Sequence, residues 1–178
     1  NDPGQCSAAV SYTAPVGTDN CPGDSTSQTA GLASGASFPL GPTTVTYTTT
    51  DVHGNTATAS FTVTVLDVTA PTLNCPANIT VNNTFLQCGA NVSYTAPVGT
   101  DNCPGVTTSR TGGLASGAFF PVGVTTVTYT ATDASGNASS CSFTVTVNDT
   151  QGPALSGCSS NIVRSNDVGQ CGAIVTFP

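Results

Sequence analysis

Apolar and polar residues alternate over several short segments of the 178-residue chain, a pattern that is typical of strands with one buried face. In SFTVTV (142–147), for example, Phe143, Val145 and Val147 share one face, and Thr144 and Thr146 share the other. Between residues 67 and 148 the alternation predicts strands at 78–81, 89–95, 105–111, 117–121, 125–133 and 142–147. About seven short strands at this spacing, without a helical period, predict an all-β chain of Ig-like (fibronectin III-like) β-sandwich domains.

An internal repeat divides the chain. Cys6 and Cys21 recur 82 residues later as Cys88 and Cys103, and the letters YTAPVGTDNCPG occur in both copies. A fixed period of this kind is the signature of a tandem array. We therefore expect a β-sandwich that lacks its first strand at 1–66, a complete β-sandwich at 67–148, and the first strands of a third unit at 149–178.

Composition and charge limit the function classes. Only 6% of the residues are charged, two of them are Lys or Arg, and the net charge is -7, so the basic surface that binds nucleic acid is missing. No apolar run reaches the roughly 18 residues of a membrane-spanning helix. The eight cysteines occur without a CxxC pair and with a single histidine, His53, which favours disulfides in an extracellular compartment over zinc.

Three motifs of the second unit occur in the order that is found in the hyalin repeat (HYR) family. They are TAPTLNCPANITV, QCGANVSYTAPVGTDNC and FPVGVTTVTYTATDASGNASSCSFTVTV, and the resemblance extends over essentially the whole chain. It implies Ig-like sandwiches in extracellular, often adhesive, tandem arrays without catalysis. Many family members have two further cysteines. This chain has Ser27 or Ser109 near the first position and Tyr47 or Tyr129 at the second, so that bridge is missing here.

The remaining cysteines allow more than one pairing. Unit 1 retains Cys6 and Cys21 but has Ala59 where unit 2 has Cys141, so a Cys6–Cys21 bond would leave no unpaired thiol there. By the repeat, this favours the set Cys6–Cys21, Cys88–Cys103 and Cys75–Cys141, with a first strand running parallel to the last strand. The alternative set is Cys75–Cys103 with Cys88–Cys141.

The missing first strand of unit 1 suggests how copies of the chain could assemble. A sandwich without this strand exposes a sheet edge that invites another strand. The segment GCSSNIVRSNDVGQC near the C-terminus matches NCPANITVNNTFLQC of unit 2, although Arg164 stands in the position of Val81. Head-to-tail donation between copies would produce a filament. The first hypothesis is therefore a structural subunit of an extracellular fibre, and the alternative is an adhesive, glycan- or protein-binding stalk fragment of a longer cell-surface protein.

Calcium is the only cofactor that the sequence suggests, and nothing requires it. Asp67 in the linker, Asp101 in the loop GTDNC and Asp133 in the turn DASGN would meet at one end of a sandwich. These carboxylates, with loop carbonyls and Asn102 or Asn137, could bind a hard cation. In unit 1 the analogous residues are Asp19, Asp51 and Asp149 of a neighbouring chain. The alternative is that these residues only stabilise turns.

Covalent glycans are the other predicted partner. N-x-S/T sequons occur at Asn78, Asn82, Asn91, Asn137 and Asn148. For catalysis, the lone His53 lies in the turn DVHGN, and the matching turn of unit 2 has Ser135 in its place. We therefore expect a protein that is not an enzyme.

Overall fold

The computed structural model describes residues 1–157 and 161–176. We refer to residues 1–66 as repeat 1, 67–148 as repeat 2 and 149–178 as the tail. Repeat 1 contains β1 (Ser7–Ala9), β2 (Ser25–Ala30), β3 (Ser37–Pro39), β4 (Gly41–Thr50) and β5 (Thr56–Val65). Repeat 2 contains β6 (Ile79–Asn82), β7 (Gly89–Asn91), β8 (Thr107–Gly112), β9 (Phe119–Pro121), β10 (Gly123–Thr132) and β11 (Ala138–Asn148).

Repeat 2 is a β-sandwich. Its larger sheet has the order β6-β11-β10-β8 and its smaller sheet is the pair β7-β9. The strand β6 runs parallel to β11 with Ile79 opposite Val145, whereas the other strand pairs are antiparallel. The two sheets share one core, in which Phe120, Val127 and Val145 are fully buried. Each such side chain contributes about 1.5–3 kcal/mol when it leaves water.

Repeat 1 has the same arrangement without a counterpart of β6. Its sheets are β2-β4-β5 and β1-β3, and β5 pairs only with β4 among the described residues. The core consequently has a less protected side. Phe61 and Val63 of β5 remain half-buried, whereas the matching Phe143 and Val145 of repeat 2 are 2% and 0% exposed. The parallel first strand therefore closes the sandwich in repeat 2.

The structure has the predicted all-β fold of tandem sandwiches, and the described residues contain no helix. Repeat 2 has six strands in place of about seven. The predicted strand 89–95 ends at Asn91, after which Val92 still exchanges backbone hydrogen bonds with Ala118 and Gly117. The tail contains no strand within residues 149–157 and 161–176, although the sequence predicted the first strands of a third unit there. No helix long and apolar enough to cross a membrane occurs in the described part of the chain.

Candidate functional site

The disulfides at the junction between the repeats differ from the predicted set. Cys6 of repeat 1 is bonded to Cys103 of repeat 2, with the Cα atoms 4.9 Å apart. The predicted pairs Cys6–Cys21 and Cys88–Cys103 are therefore not formed, and Cys21 and Cys88 are exposed thiols. The prediction considered only pairs within one repeat. In the folded chain, the first turn of repeat 1 instead lies against the loop of repeat 2 that carries Cys103.

The second disulfide of the described residues lies within repeat 2. It joins Cys75, which precedes β6, to Cys141 in β11, with the Cα atoms 5.7 Å apart. This is the pair that the sequence predicted, and neither bond of the alternative set is present. The parallel pairing of β6 with β11 brings the two cysteines together. Repeat 1 has Ala59 at the position of Cys141, so the same bond cannot form there.

Hydrogen bonds surround the inter-repeat disulfide. The side-chain amide of Asn1 donates to the carbonyl oxygen of Gln5 and to Asp67 Oδ1, each at 3.0 Å. The side-chain amide of Asn102 donates across the junction to the same carbonyl of Gln5 at 2.9 Å. Thr69 donates its backbone N–H to Asp67 Oδ1 at 3.1 Å. The linker carboxylate of Asp67 thus binds both repeats.

Two of the three predicted calcium ligands meet at this junction. Oxygen atoms of Asp67 and Asp101 and the sulfur of Cys103 lie within 4.8 Å of one another. Asp67 is only 7% exposed, and its Oδ2 has no hydrogen-bond partner among the described residues; neither has the buried Oδ1 of Asn102. Because Cys103 is bonded to Cys6, its sulfur is not a thiolate ligand. The available donor atoms are therefore oxygens, which suit a hard cation.

Asp133, the third predicted ligand, is occupied by its own turn. Its Oδ1 accepts the backbone N–H of Ser135 and of Asn137, and its Oδ2 accepts the side-chain amide of Asn137 at 2.8 Å. Burial alone would raise the pKa of Asp133, but these hydrogen bonds outweigh it and lower the pKa below its ordinary value. The same amide of Asn137 donates to the backbone oxygen of Asp67 at 3.1 Å. Asp133 therefore positions the side chain that binds the linker, without contacting the linker carboxylate itself.

His53 lies in the matching turn of repeat 1, where its backbone N–H binds Asp51. Asp51 Oδ1 accepts the backbone N–H of His53 and of Asn55, each at 2.8 Å. The side-chain hydrogen bond from Asn55 has the largest effect on the pKa of Asp51 and lowers it. His53 is exposed and contributes its backbone to this turn. Asp19, which also belongs to the calcium set predicted for repeat 1, is exposed as well. So is Asp149 of the tail, which the prediction takes from a neighbouring chain.

The five sequons differ in accessibility. Four of the asparagines are exposed: Asn78, Asn82, Asn91 and Asn148. Asn137 is partly buried, and its side-chain nitrogen is bound to Asp133 and to the backbone of Asp67. Asn78 accepts the backbone N–H of Thr144 through its side-chain oxygen. The side-chain nitrogen, to which a glycan would be attached, takes no part in this hydrogen bond.

Sequence reasoning missed the polar residues that build the junction. Asn1 and Gln5 did not appear among the predicted site residues. A signal was present, because Asn1 and Gln5 recur as Asn83 and Gln87 at the repeat offset of 82. Asparagine at a repeated turn is ordinarily attributed to turn formation alone, so the contact with the next repeat was not foreseen.

The comparisons with known proteins agree with the tandem organisation. The HYR domain family matches residues 2–65 and 66–147. Hyalin of Strongylocentrotus purpuratus is 38% identical over 180 residues, which is 98% of this chain and 15% of that protein. Hyalin of Lytechinus variegatus is 40% identical over 181 residues, covering 95% of this chain and 33% of that protein. The chain therefore spans a third or less of the length of these relatives.

Among solved structures, the chain is similar to human protocadherin-24 EC1-2. The two are 16% identical, and the match covers 76% of this chain and 85% of that chain with a TM-score of 0.35.

Proposed function

Because the chain belongs to the HYR domain family, we propose that it is a structural segment of an extracellular fibre of tandem repeats that is completed by strand exchange between copies. The chain is extracellular or at the cell surface, and the two disulfides among its described residues suit that oxidising compartment. The proposed role is mechanical, and it requires no catalytic residues. The observation that carries it is the unprotected side of repeat 1.

A groove runs along repeat 1 at the positions where repeat 2 contacts the segment that leads to β6. It has a volume of about 330 Å³, and its lining includes Gly17, Tyr47, Thr49 and Ala59. The equivalent positions of repeat 2 face the segment that leads to β6, in which Thr72 pairs with Thr100. We infer that the groove accepts a segment like residues 71–75, which lies at the equivalent positions of repeat 2.

The tail carries such a segment. Leu155 and Ile162 occupy the positions of Leu73 and Ile79, which pack against the core of repeat 2. In this structure Leu155 is 93% exposed and Ile162 is 46% exposed, so both side chains are available. Residues 158–160, which lie between them, are outside the described residues. We infer that the tail of one copy covers the β5 edge of another copy, as β6 covers β11.

Arg164 is the charged residue at the position of Val81. Its guanidinium lies 3.7 Å from Asp167 at the protein surface. A long arginine side chain can lay its methylene groups on an apolar surface and extend its charge into water. The substitution is therefore compatible with a donated strand whose end reaches solvent.

Assembly can be tested with the 178-residue chain in solution. Light scattering and negative-stain microscopy should show oligomers and filaments that grow with concentration. Replacing Leu155 and Ile162 by Asp should abolish them, because charges would enter the apolar groove. Val168→Asp is the control, since Val168 is also an exposed apolar residue of the tail but lies outside the donated segment. A chain that stays monomeric at high concentration, with repeat 1 stably folded, would contradict the proposal.

The alternative function is an adhesive stalk within a longer surface protein. The small share of each hyalin that the chain covers supports this reading. In that case the groove of repeat 1 would be filled by a preceding segment of the same polypeptide. The intact mass of the protein from its source, after sugar removal, separates the two: a mass near 17.6 kDa supports exchange between copies, and a much larger mass supports the stalk.

We also propose that calcium binds at the junction through oxygens of Asp67, Asp101 and Asn102. The unpaired Oδ2 of the buried Asp67 supports this, because an ionised oxygen without a partner is costly away from water. A cation would satisfy it and stiffen the contact between the repeats. Sites in extracellular modules commonly have a Kd of about 0.1–1 mM.

Calorimetric titration with calcium tests the site. Binding in this range is expected for the unmodified chain, and Asp67→Asn or Asp101→Asn should weaken it at least about tenfold, since each removes a charged ligand. Asp19→Asn is the control, because Asp19 matches Asp101 in repeat 1 but has no linker carboxylate beside it in the described chain. Equal binding by all four proteins would refute a site at the junction.

Glycans on the exposed sequons are the last part of the proposal. Asn78, Asn82, Asn91 and Asn148 can accept a sugar without breaking the junction, whereas Asn137 would lose two hydrogen bonds. Sugars would also solvate a surface with few charges. Peptide mass spectrometry of the native protein should find modification at the four exposed sites and an unmodified Asn137.

A further inference from the structure

The inter-repeat disulfide joins Cys6 to Cys103, and the equivalents of these two cysteines in the other repeat, Cys88 and Cys21, are both unbonded. We call Cys6 and Cys88 turn cysteines, because each follows the first turn of its repeat. We call Cys21 and Cys103 loop cysteines, because each ends the sequence GTDNC. The bond between Cys6 and Cys103 therefore joins the turn cysteine of one repeat to the loop cysteine of the next.

The turn before each turn cysteine has the same geometry. The residue two positions earlier has a positive φ in both repeats, 73° at Gly4 and 61° at Leu86. The residue directly before the cysteine donates its backbone N–H to a carbonyl three residues earlier, from Gln5 at 3.0 Å and from Gln87 at 2.9 Å. A leucine rarely adopts this φ, so the turn of repeat 2 is held in shape against its local preference.

The linker contacts are duplicated as well. Asn83 donates to the carbonyl of Gln87 at 2.9 Å and to Asp149 Oδ1 at 3.1 Å, as Asn1 does to Gln5 and Asp67. The backbone of Asn83 also donates to Asn148 at 2.9 Å. Cys88 is thus presented beside the linker that leaves repeat 2 in the way that Cys6 is presented beside the linker that leaves repeat 1.

The loop cysteines are presented alike too. The side-chain amide of Asn102 lies 3.4 Å from the sulfur of Cys103, and that of Asn20 lies 3.6 Å from the sulfur of Cys21. Cys103 is 5% exposed within its bond, whereas Cys21 and Cys88 are both exposed thiols. The two open cysteines therefore have the complementary geometries that the formed bond already combines.

From this duplication we propose that Cys88 forms a disulfide with the loop cysteine of the repeat that follows repeat 2, the residue type represented by Cys21. Between copies of this chain the bond is Cys88 of one to Cys21 of another. It would make the fibre a covalent series in which each repeat is bonded to its neighbours. This inference deepens the proposed function and rests on it for the order of the copies.

The bond forms by thiol–disulfide exchange with a low-molecular-weight disulfide such as oxidised glutathione. The Cys88 thiolate attacks the oxidant, which releases one glutathione thiolate and leaves a mixed disulfide. The Cys21 thiolate of the next copy then attacks the Cys88 sulfur and releases the second glutathione. Two protein thiols are oxidised to one disulfide, and one glutathione disulfide is reduced to two thiols.

The test uses the 178-residue chain, oxidised in a glutathione buffer and digested without reduction. Mass spectrometry should identify a Cys6–Cys103 peptide pair within one chain and a Cys21–Cys88 pair between copies. A non-reducing gel should show a ladder that collapses with reductant. Cys88→Ser should remove the ladder, and Cys171→Ser, which changes another exposed thiol, should leave it in place.

Three results would overturn the inference: peptide pairs Cys6–Cys21 and Cys88–Cys103, a ladder that depends on Cys171, or Cys21 and Cys88 that both remain open to alkylation. Light scattering of Cys88→Ser distinguishes failure of this disulfide proposal from failure of the proposed strand exchange. If that variant still forms non-covalent oligomers while the disulfide is absent from the unmodified chain, strand exchange stands and the covalent link does not.

Discussion

Asp51 and Asp133 show how single residues determine the ends of these sandwiches. Each carboxylate closes the turn between the last two strands by accepting two backbone N–H groups and one asparagine amide. Both therefore have a pKa below the ordinary value of 3.8. A carboxylate with this role prefers the folded state in its charged form, so protonation weakens the turn.

We expect stability to fall as the pH drops through these low pKa values. The unfolded carboxyl binds its proton at a higher pH than the folded one, so the stabilisation is fully present well above pH 3.8 and is lost as the pH falls through the lowered pKa values of the folded state. Urea denaturation at several pH values should show this loss, and Asp133→Asn should reduce it in repeat 2. Asp19→Asn is the control, because Asp19 accepts no hydrogen bond from the described residues. An unchanged pH dependence in Asp133→Asn would contradict this role.

At the level of elements, the sandwiches depend on close contact between β10 and the turn that follows β8. Gly113 in this turn has a φ of +75°, and a Cβ there would lie 2.8 Å from the Cα of Val127 in β10. Gly117 has a similar φ of +83° with no atom within 4 Å. Substitution of the two glycines therefore distinguishes the cost of a side chain at positive φ, which both share, from the cost of a steric clash, which only Gly113 has.

We predict that Gly113→Ala destabilises repeat 2 by about 2–4 kcal/mol and Gly117→Ala by about 1 kcal/mol. Both introduce a side chain at positive φ, but only the first also forces two backbones apart. Thermal or urea denaturation of the two variants provides the comparison. Equal losses would show that the contact with Val127 has no energetic weight.

The pairing of β6 with β11 is the other element-level feature, and the Cys75–Cys141 bond secures it. The bond closes a loop with a sequence separation of 66 residues. Replacing both cysteines by Ala should cost about 2–5 kcal/mol, because the unfolded chain regains the freedom that the loop removes. Cys88→Ala, which removes an exposed thiol of the same repeat, should be nearly neutral in the same denaturation experiment. A double variant as stable as Cys88→Ala would exclude this role.

At the scale of the whole molecule, the junction decides how the repeats are held together. One disulfide and the hydrogen bonds around Asp67 join them. We expect Cys6→Ser with Cys103→Ser to leave both sandwiches folded and to broaden the range of inter-repeat distances in small-angle scattering. Cys21→Ser with Cys88→Ser is the matched control and should leave the distances of the monomer unchanged. An identical scattering profile for both variants would mean that the disulfide does not restrict the joint.

Much of each sandwich could be predicted from the sequence. Alternation of Thr with Val and Phe placed β10 and β11 to within a few residues, because a strand with one buried face needs this two-residue period. The strand β7 was less well bounded, since 89–95 was predicted and the strand ends at Asn91. Its end depends on partners that are distant in sequence, such as Gly117 for Val92.

By itself the sequence determined the all-β class and the repeat, because each follows from local alternation or from a comparison of equivalent positions. Only the tertiary structure decided that Cys6 meets Cys103 and that Asp67 meets Asp101 while Asp133 closes its own turn. These choices depend on how the end of one sandwich packs against the start of the next. Residues far apart in the chain become neighbours there, and no local pattern records that contact.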